Sequence, residues 1–483
     1  METKSLFRAI ALLLAIVTAF MVPCALVGLA YGEAPSSLWI YIPPCLIGLS
    51  CFVLAFTGNR HKTTLSPRTG YLFVTLGWLL SACLGSLPFV LSGCIPLFSS
   101  AFFEVMSGFS TTGATILADI EALPPSLLLW RACTHWLGGM GIVVLTVAIF
   151  PLLGLNGKAL MEAEAPGPQV DKFTPRLSNT AAILWLIYLG LTVILFVLLL
   201  FGGMDFLEAL THSFATMATG GFSTRNASVG AWNSAYIDGI ITLFMVLAGT
   251  NFALHWRFMQ GKPLTVLRDS EWRLYLGIFF GSSIFISLSL ADSGLYGSFA
   301  EAWRYASFQA ASILTTTGFA TADYLGWPSF AQAILFCLMF IGGSAGSTAG
   351  GIKVGRVVTL LKMGAAEMKY LLNPRGVYGI FVNRRYVHKN IVYDIAAMVF
   401  LFLSSVLVST LVVSAAGFDI LTSLSATLAT IGNIGPGFSL VGPSFNYGFF
   451  PEWVKLWLSF VMLLGRLEIY TVLVLFTPAF WKR

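Results

Sequence analysis

The sequence predicts an all-α, polytopic membrane protein in which a helix–short helix–turn–helix unit recurs four times behind two leading transmembrane helices. Three observations carry this. Of 483 residues, 57% are apolar and only 10% charged, whereas soluble domains carry about 25% charged residues. Apolar stretches of about 20 residues recur along the chain, enough to cross about 30 Å of hydrocarbon as helix. Between them sit four short segments, each ending in a glycine-containing turn.

Long continuous apolar runs, such as Ala181–Leu200, Ile240–Ala253, Ile391–Val413 and Leu456–Phe476, select helices over a closed barrel of alternating strands. Ten spans are expected, centred near residues 18, 47, 82, 140, 192, 246, 283, 340, 402 and 466. Lys4 and Arg8 precede the first, as in a signal peptide. The apolar run Ala9–Ala30 is long for such a segment, so an uncleaved helix is expected. Residues 1–69 hold the two leading helices. Residues 70–157, 158–263, 264–386 and 387–483 hold the four units, the third with a broken second helix.

The net charge of +6 reads as topology rather than nucleic-acid binding. With the N-terminus inside, 22 of the 27 Lys and Arg residues fall on that side. Arg131, Arg225, Arg304 and Lys455 fall outside, and Arg466 lies within the last span. That bias predicts cytoplasmic termini. The seven cysteines (Cys24, Cys45, Cys51, Cys83, Cys94, Cys133, Cys337) lack metal-ligand spacing and read as small core hydrophobes.

The four turns read Ser110-Thr-Thr-Gly-Ala-Thr115, Ala218-Thr-Gly-Gly-Phe-Ser-Thr224, Thr315-Thr-Thr-Gly-Phe-Ala-Thr321 and Gly432-Asn-Ile-Gly-Pro-Gly437. Aligning Gly113, Gly221, Gly318 and Gly435 gives spacings of 108, 97 and 117 residues. The following spans also correspond, with Gly138-Gly139, Gly249, Gly342-Gly343 and Gly465 lying 25, 28, 24 and 30 residues further on. The segments before the turns, about 12 to 14 residues, reach roughly 18–21 Å as helix and cannot cross the membrane. They must be re-entrant, and the turns must be buried or line water.

A helix carries roughly half a negative charge at its carboxyl end, so four converging ends favour a cation. Turn carbonyls can replace a cation's hydration shell. Asp and Glu are absent from the turn cores, which argues against a divalent-selective acidic ring.

Gly342–Gly351 holds five glycines in ten residues. At about 1 kcal/mol each relative to Ala, this opposes continuous helix and predicts an unwound loop on the cytoplasmic side of the turns. Gly342-Gly-Ser-Ala-Gly346 matches the hydrolase elbow Gly-x-Ser-x-Gly, but that motif needs a strand-to-helix turn and a positioned His. Ile352 separates Gly351 from Lys353, so no P-loop forms. No catalytic constellation emerges, and the chain is not expected to be an enzyme. Arg466, level with the glycine loop, is a functional-site candidate because a central intramembrane arginine is costly. It could bond the loop's carbonyls, whereas Glu468 is badly placed to pair with it along one helix.

These motifs, with Gly465-Arg-Leu-Glu468 and Met161-Glu-Ala-Glu-Ala-Pro-Gly-Pro168, resemble the Trk/Ktr/HKT potassium transporter superfamily, nearest to the bacterial Trk membrane subunit. The resemblance covers essentially the whole chain. It implies potassium uptake across the cytoplasmic (inner) membrane. The implied filter is a potassium-binding set of carbonyls at Thr111, Thr112, Gly113, Thr219, Gly220, Gly221, Thr316, Thr317, Gly318, Asn433, Ile434 and Gly435. It further implies a gate of Gly342, Gly343, Gly346, Gly350, Gly351 and Arg466. Potassium is the only metal and no organic cofactor is expected. The fourth turn departs from the Thr-rich pattern, and Pro436 removes a backbone donor, so an asymmetric ring is expected.

The resemblance also implies a homodimer and a cytoplasmic nucleotide-binding regulatory subunit of Trk type, binding NAD or ATP and docking on the cytoplasmic face. The basic segment Lys353–Lys389, whose one acid is Glu367, offers a docking surface or rests on anionic lipid. The bilayer is the other partner and nucleic acid is not one. The rival reading is a proton- or sodium-coupled symporter of a small solute, a class usually built from two large repeats rather than four short ones.

Overall fold

The computed structural model describes residues 2–57, 66–141, 177–383 and 385–482. Helices α1 (Glu2–Ala19) and α2 (Met21–Ala30) form one long segment, and α3 (Ile42–Thr57) returns alongside α1. The first unit follows as α4 (Pro67–Leu91), short α5 (Phe98–Phe109) and α6 (Pro125–Gly139). The second comprises α7 (Leu177–Phe201), short α8 (Phe206–Met217), α9 (Ala235–Ala248) and α10 (Phe252–Met259). The third comprises α11 (Ser270–Asp292), short α12 (Phe299–Leu314) and α13 (Ser329–Leu338), with α14 (Val354–Leu372) beyond a loop. The fourth comprises α15 (Lys389–Ser414), short α16 (Ile420–Ile431) and α17 (Glu452–Arg466).

Local signals place the short helices. Asp205 and Glu208 form a reciprocal capping box on α8. The Ser298 hydroxyl accepts from the Glu301 N–H on α12, and Asp419 accepts from the Thr422 N–H on α16. Leu97 at the start of α5 gives no side-chain cap, but Ser99 and Ser100 donate to Glu452 at the start of α17. The short helices are buried on nearly every face, from Ser100 to Phe109 in α5 for instance. The long spans instead expose apolar side chains such as Leu186, Val193 and Ile194, as a lipid-facing surface requires.

Each short helix lies against its own unit and, for three of the four, against the closing helix of the preceding unit: α5 on α17, α8 on α6 and α12 on α9. The fourth place differs, because α13 stops at Leu338 and the glycine loop stands near the end of α16.

Some expectations hold and others require correction. Among the described residues, six helices are long and apolar enough to cross a membrane, or eight if two bent pairs each count as one span, and these eight fall on eight of the ten expected spans. The span near residue 246 bends by 97° between α9 and α10, and the last bends by 114° after Arg466. The span near residue 340 ends at Leu338, where the glycine content predicts an unwound loop, so that break is as expected. Most of the span near residue 140, and Met161–Pro168, lie outside the described residues. The third short helix has 16 residues, more than the 12 to 14 expected. Of the cysteines, Cys24 and Cys133 are buried core residues, whereas Cys94 and Cys337 are exposed.

Candidate functional site

The four turns share one backbone. Thr111, Thr219, Thr316 and Asn433 have φ of 55°, 54°, 55° and 53°, and Gly113, Gly221, Gly318 and Gly435 have φ of 79°, 81°, 82° and 94°. Each begins as a Schellman helix end. The Thr111 N–H donates to Gly108 O and the Thr112 N–H to Ser107 O. Thr219 and Gly220, Thr316 and Thr317, and Asn433 and Ile434 repeat the pattern. Glycine normally holds the first left-handed position, and β-branched threonine there costs roughly 1–3 kcal/mol. Three such threonines therefore need support from their surroundings.

The turns close head to tail. A Cβ added to Gly113 would lie 2.1 Å from Gly220 O, one on Gly221 2.0 Å from Thr317 O, and one on Gly318 2.1 Å from Ile434 O. The cycle returns from the fourth turn to the first, where a Cβ on Gly435 would lie 2.5 Å from Thr112 O. Thus each glycine admits the carbonyl of the next turn. The twelve residues Thr111–Gly113, Thr219–Gly221, Thr316–Gly318 and Asn433–Gly435 are brought together at the carboxyl ends of four buried helices.

On one side of the ring, a cavity reaches all four glycines and is walled by the segments that follow them, with Arg131 and Arg225 in its lining. A buried ion pair braces this side. Arg131 Nε donates to Glu104 Oε1 at 2.7 Å, while its Nη1 donates to Ser223 O at 3.0 Å. The Arg131 guanidinium lies 3.5 Å from the Phe222 ring centre, and His135 stacks on the same ring at 4.0 Å. Glu104 also accepts from the Thr115 hydroxyl and the Ile116 N–H. One carboxylate thereby joins α5, the chain leaving the first turn and, through Arg131, the second turn. Arg225 pairs with Glu208 at 2.7 Å, a hydrogen bond that raises the guanidinium's pKa above its ordinary value.

On the opposite side stands the glycine loop. Gly342 N–H donates to Ile352 O, and Val354 N–H to Gly343 O, closing its neck. The break between α9 and α10 receives its flank. Ser344 N–H donates to Gly249 O and Thr348 Oγ1 to Ala248 O, while Phe252 N–H donates to Gly346 O. Unsatisfied carbonyls at the end of α9 are thus paired by the loop. Glu271 accepts from the N–H groups of Ala345 and Gly355. Beside the neck, Gly350 N–H donates to Thr316 Oγ1 at 2.6 Å, and a Cβ on Gly350 would lie 2.4 Å from Gly432 O.

Arg466 joins this assembly. Its Nη1 donates to Thr111 Oγ1 at 3.2 Å and Thr348 O at 2.9 Å, and its Nη2 to Gly138 O and, at 2.6 Å, Gly139 O. Two of the left-handed threonines therefore gain partners through their hydroxyls: Thr111 from Arg466 and Thr316 from the loop. Glu468 pairs with Arg356 at the start of α14 rather than with Arg466.

Sequence reasoning missed Glu104, Arg131 and the phenol of Tyr447, which holds Gly435 O at 2.8 Å; the Tyr324 phenol holds Gly437 O at 2.7 Å, outside the ring. A usable signal existed for the first pair: an acid inside a short re-entrant segment and an arginine inside an apolar one both demand a buried partner. For the tyrosines there was none, since their partners are main-chain atoms.

A family model described as "TrkH: Cation transport protein" matches residues 49–483. The Trk system potassium uptake protein TrkH of Escherichia coli K12 is 39% identical over 487 residues, spanning 100% of both chains. TrkG of the same organism, also a Trk system potassium uptake protein, is 34% identical over 469 residues, 96% of this chain and 95% of its own. The crystal structure of the potassium transporter TrkH from Vibrio parahaemolyticus superposes with a TM-score of 0.88 at 37% identity, covering 100% of both chains. The likeness extends over the whole fold, that of a mostly helical polytopic membrane protein.

Proposed function

The chain belongs to the TrkH family of cation transport proteins, and from that premise we propose that it takes potassium into a bacterial cell across the inner membrane. It is a transport protein and not an enzyme, as its relatives are. The observation that carries the reading is the head-to-tail ring of four turns with one backbone at the ends of four buried helices.

In this reading the four units are repeats around one pore and the ring is its filter. Potassium sheds water and is held by turn carbonyls, with the four helix ends adding negative potential. The filter residues are those of the ring, Thr111–Gly113, Thr219–Gly221, Thr316–Gly318 and Asn433–Gly435. The glycine loop and Arg466 form the gate beneath it. Arg466 opposes a cation resting there, and its bonds to the loop and first turn hold the closed state. Both termini lie in the cytoplasm, and the cavity over the glycines is the outer mouth.

A Trk-type regulatory subunit that binds NAD or ATP acts from the cytoplasmic face through Lys353–Lys389, which continues directly from the loop. Two copies of the chain form the membrane part. Coupled symport of a small solute is not favoured, because the relatives are named for potassium uptake.

The test is rubidium-86 uptake into liposomes holding the purified protein, with potassium or sodium competing, for wild type and Gly113→Asp. Uptake blocked by potassium far better than by sodium, and lost in the variant, is expected. Folded protein that shows no uptake even with its regulatory subunit present would overturn the pore reading.

A further inference from the structure

Resting on that reading of the ring, we propose that the Tyr447 hydroxyl is a specificity determinant, because it ties the Gly435 carbonyl and leaves the glycine layer with three free oxygens and one held. Tyr447 Oη donates to Gly435 O at 2.8 Å. Among the described residues, the carbonyls of Gly113, Gly221 and Gly318 accept no hydrogen bond. All four glycines take a positive φ, and the donor that sets Gly435 apart comes from Tyr447, outside the turn.

Tyr447 is itself fixed. Its N–H donates to Thr115 O at 2.7 Å, its ring lies 5.6 Å from Phe103 and 5.8 Å from Phe450, and it is buried. The hydroxyl is therefore anchored to the chain leaving the first turn. The fourth turn needs such bracing. It reads Asn433-Ile-Gly-Pro-Gly437, lacks the threonines of the others, and Pro436 gives no N–H. Tyr324 Oη holds the next carbonyl but one, Gly437 O, at 2.7 Å.

A phenolic donor occupies one lone pair of Gly435 O and fixes its position. A ring discriminates between cations by the number, field strength and mobility of its oxygens. A smaller cation is held well only if the oxygens can close in on it. The tied oxygen cannot follow a sodium ion inward, whereas potassium needs no such movement. The Tyr447 hydroxyl thus works against sodium.

The experiment compares rubidium-86 uptake by wild type, Tyr447→Phe and Tyr324→Phe in liposomes, titrating sodium and potassium as competitors. In Tyr447→Phe the sodium concentration that halves uptake should fall at least threefold, with that of potassium within twofold of wild type. In Tyr324→Phe, whose target carbonyl lies outside the ring, the two competitions should match wild type. Tyr447→Met removes the same hydroxyl and should repeat the shift. Unchanged sodium competition in a folded Tyr447 variant overturns the proposal while leaving the pore reading standing. So does failure of both variants to fold, which would assign the hydroxyl to stability alone. Uptake that potassium does not compete in wild type overturns the pore reading, and the inference with it.

Discussion

Arg466 Nη1 donates at once to the main-chain oxygen of Thr348 in the glycine loop, at 2.9 Å, and to the hydroxyl of Thr111 in the first turn, at 3.2 Å. With the Gly138 and Gly139 carbonyls on Nη2, one guanidinium ties together three segments far apart in sequence. A planar, permanently charged fork with several donors suits that task, and lysine cannot reproduce it.

Arg466→Ala removes this tie and the positive charge beneath the ring. Basal rubidium flux through the purified protein should rise about tenfold or more, and Arg466→Lys should restore only part of the closure. Flux unchanged from wild type, at equal amounts of folded protein in the liposomes, would show that Arg466 has no part in closing the path.

Thr316 holds the loop from the ring side. Its hydroxyl accepts from the Gly350 N–H at 2.6 Å. Thr316→Val keeps the side-chain shape and deletes the acceptor. A neutral hydrogen bond contributes about 1 kcal/mol net, so the balance of closed and open states should shift about fivefold towards open. Basal flux should rise by that factor, and flux equal to wild type at equal amounts of folded protein would show that this bond does not hold the loop.

How far this arrangement was legible in the sequence depended on which atoms carry it. The four turns were visible because glycine marks a left-handed backbone and the spacing repeats. That Thr111, Thr219 and Thr316 are also left-handed was not visible, since threonine disfavours that region and only tertiary contacts hold it there. The loop was visible through its glycine content. The 114° bend after Arg466 was not: Glu468 and Ile469 take φ of 54° and 66° with no glycine or proline to announce it. Burial of Leu467 and Ile469 and the Glu468–Arg356 pair enforce that bend. The break at Gly249–Asn251 was half legible, because Asn251 is a good cap and accepts from the Ala253 N–H. What completes it is the loop's N–H groups on Ala248 and Gly249, a long-range contact that no local pattern reveals.

Glu104 and Arg131 are almost fully buried, with side-chain exposures of 0% and 3%. Breaking a buried pair leaves an uncompensated charge and costs about 3–5 kcal/mol. Glu104→Gln should therefore lower the melting temperature of the detergent-solubilised protein markedly. Replacing both partners, as Glu104→Gln with Arg131→Met, should cost less than either change alone, because no unpaired charge then remains. A single-variant melting temperature equal to wild type would mean that the pair does not brace the two turns.

If the loop is closed by its fit against the third and fourth turns, changes on either side of that fit should not add. A Cβ at Gly350 would lie 2.4 Å from Gly432 O and 3.0 Å from the Asn433 Cβ, both parts of a buried turn that cannot yield. Gly350→Ala must therefore push this part of the loop away, and the same step pulls the Gly350 N–H from Thr316. Basal flux should rise in Gly350→Ala, and adding Thr316→Val should raise it little further, since the bond that valine removes is already broken. Independent contributions would multiply instead. A double variant whose flux equals the product of the two single increases would show that Thr316 and Gly350 act through separate contacts, and that the loop's fit against the third and fourth turns is not where closure is decided.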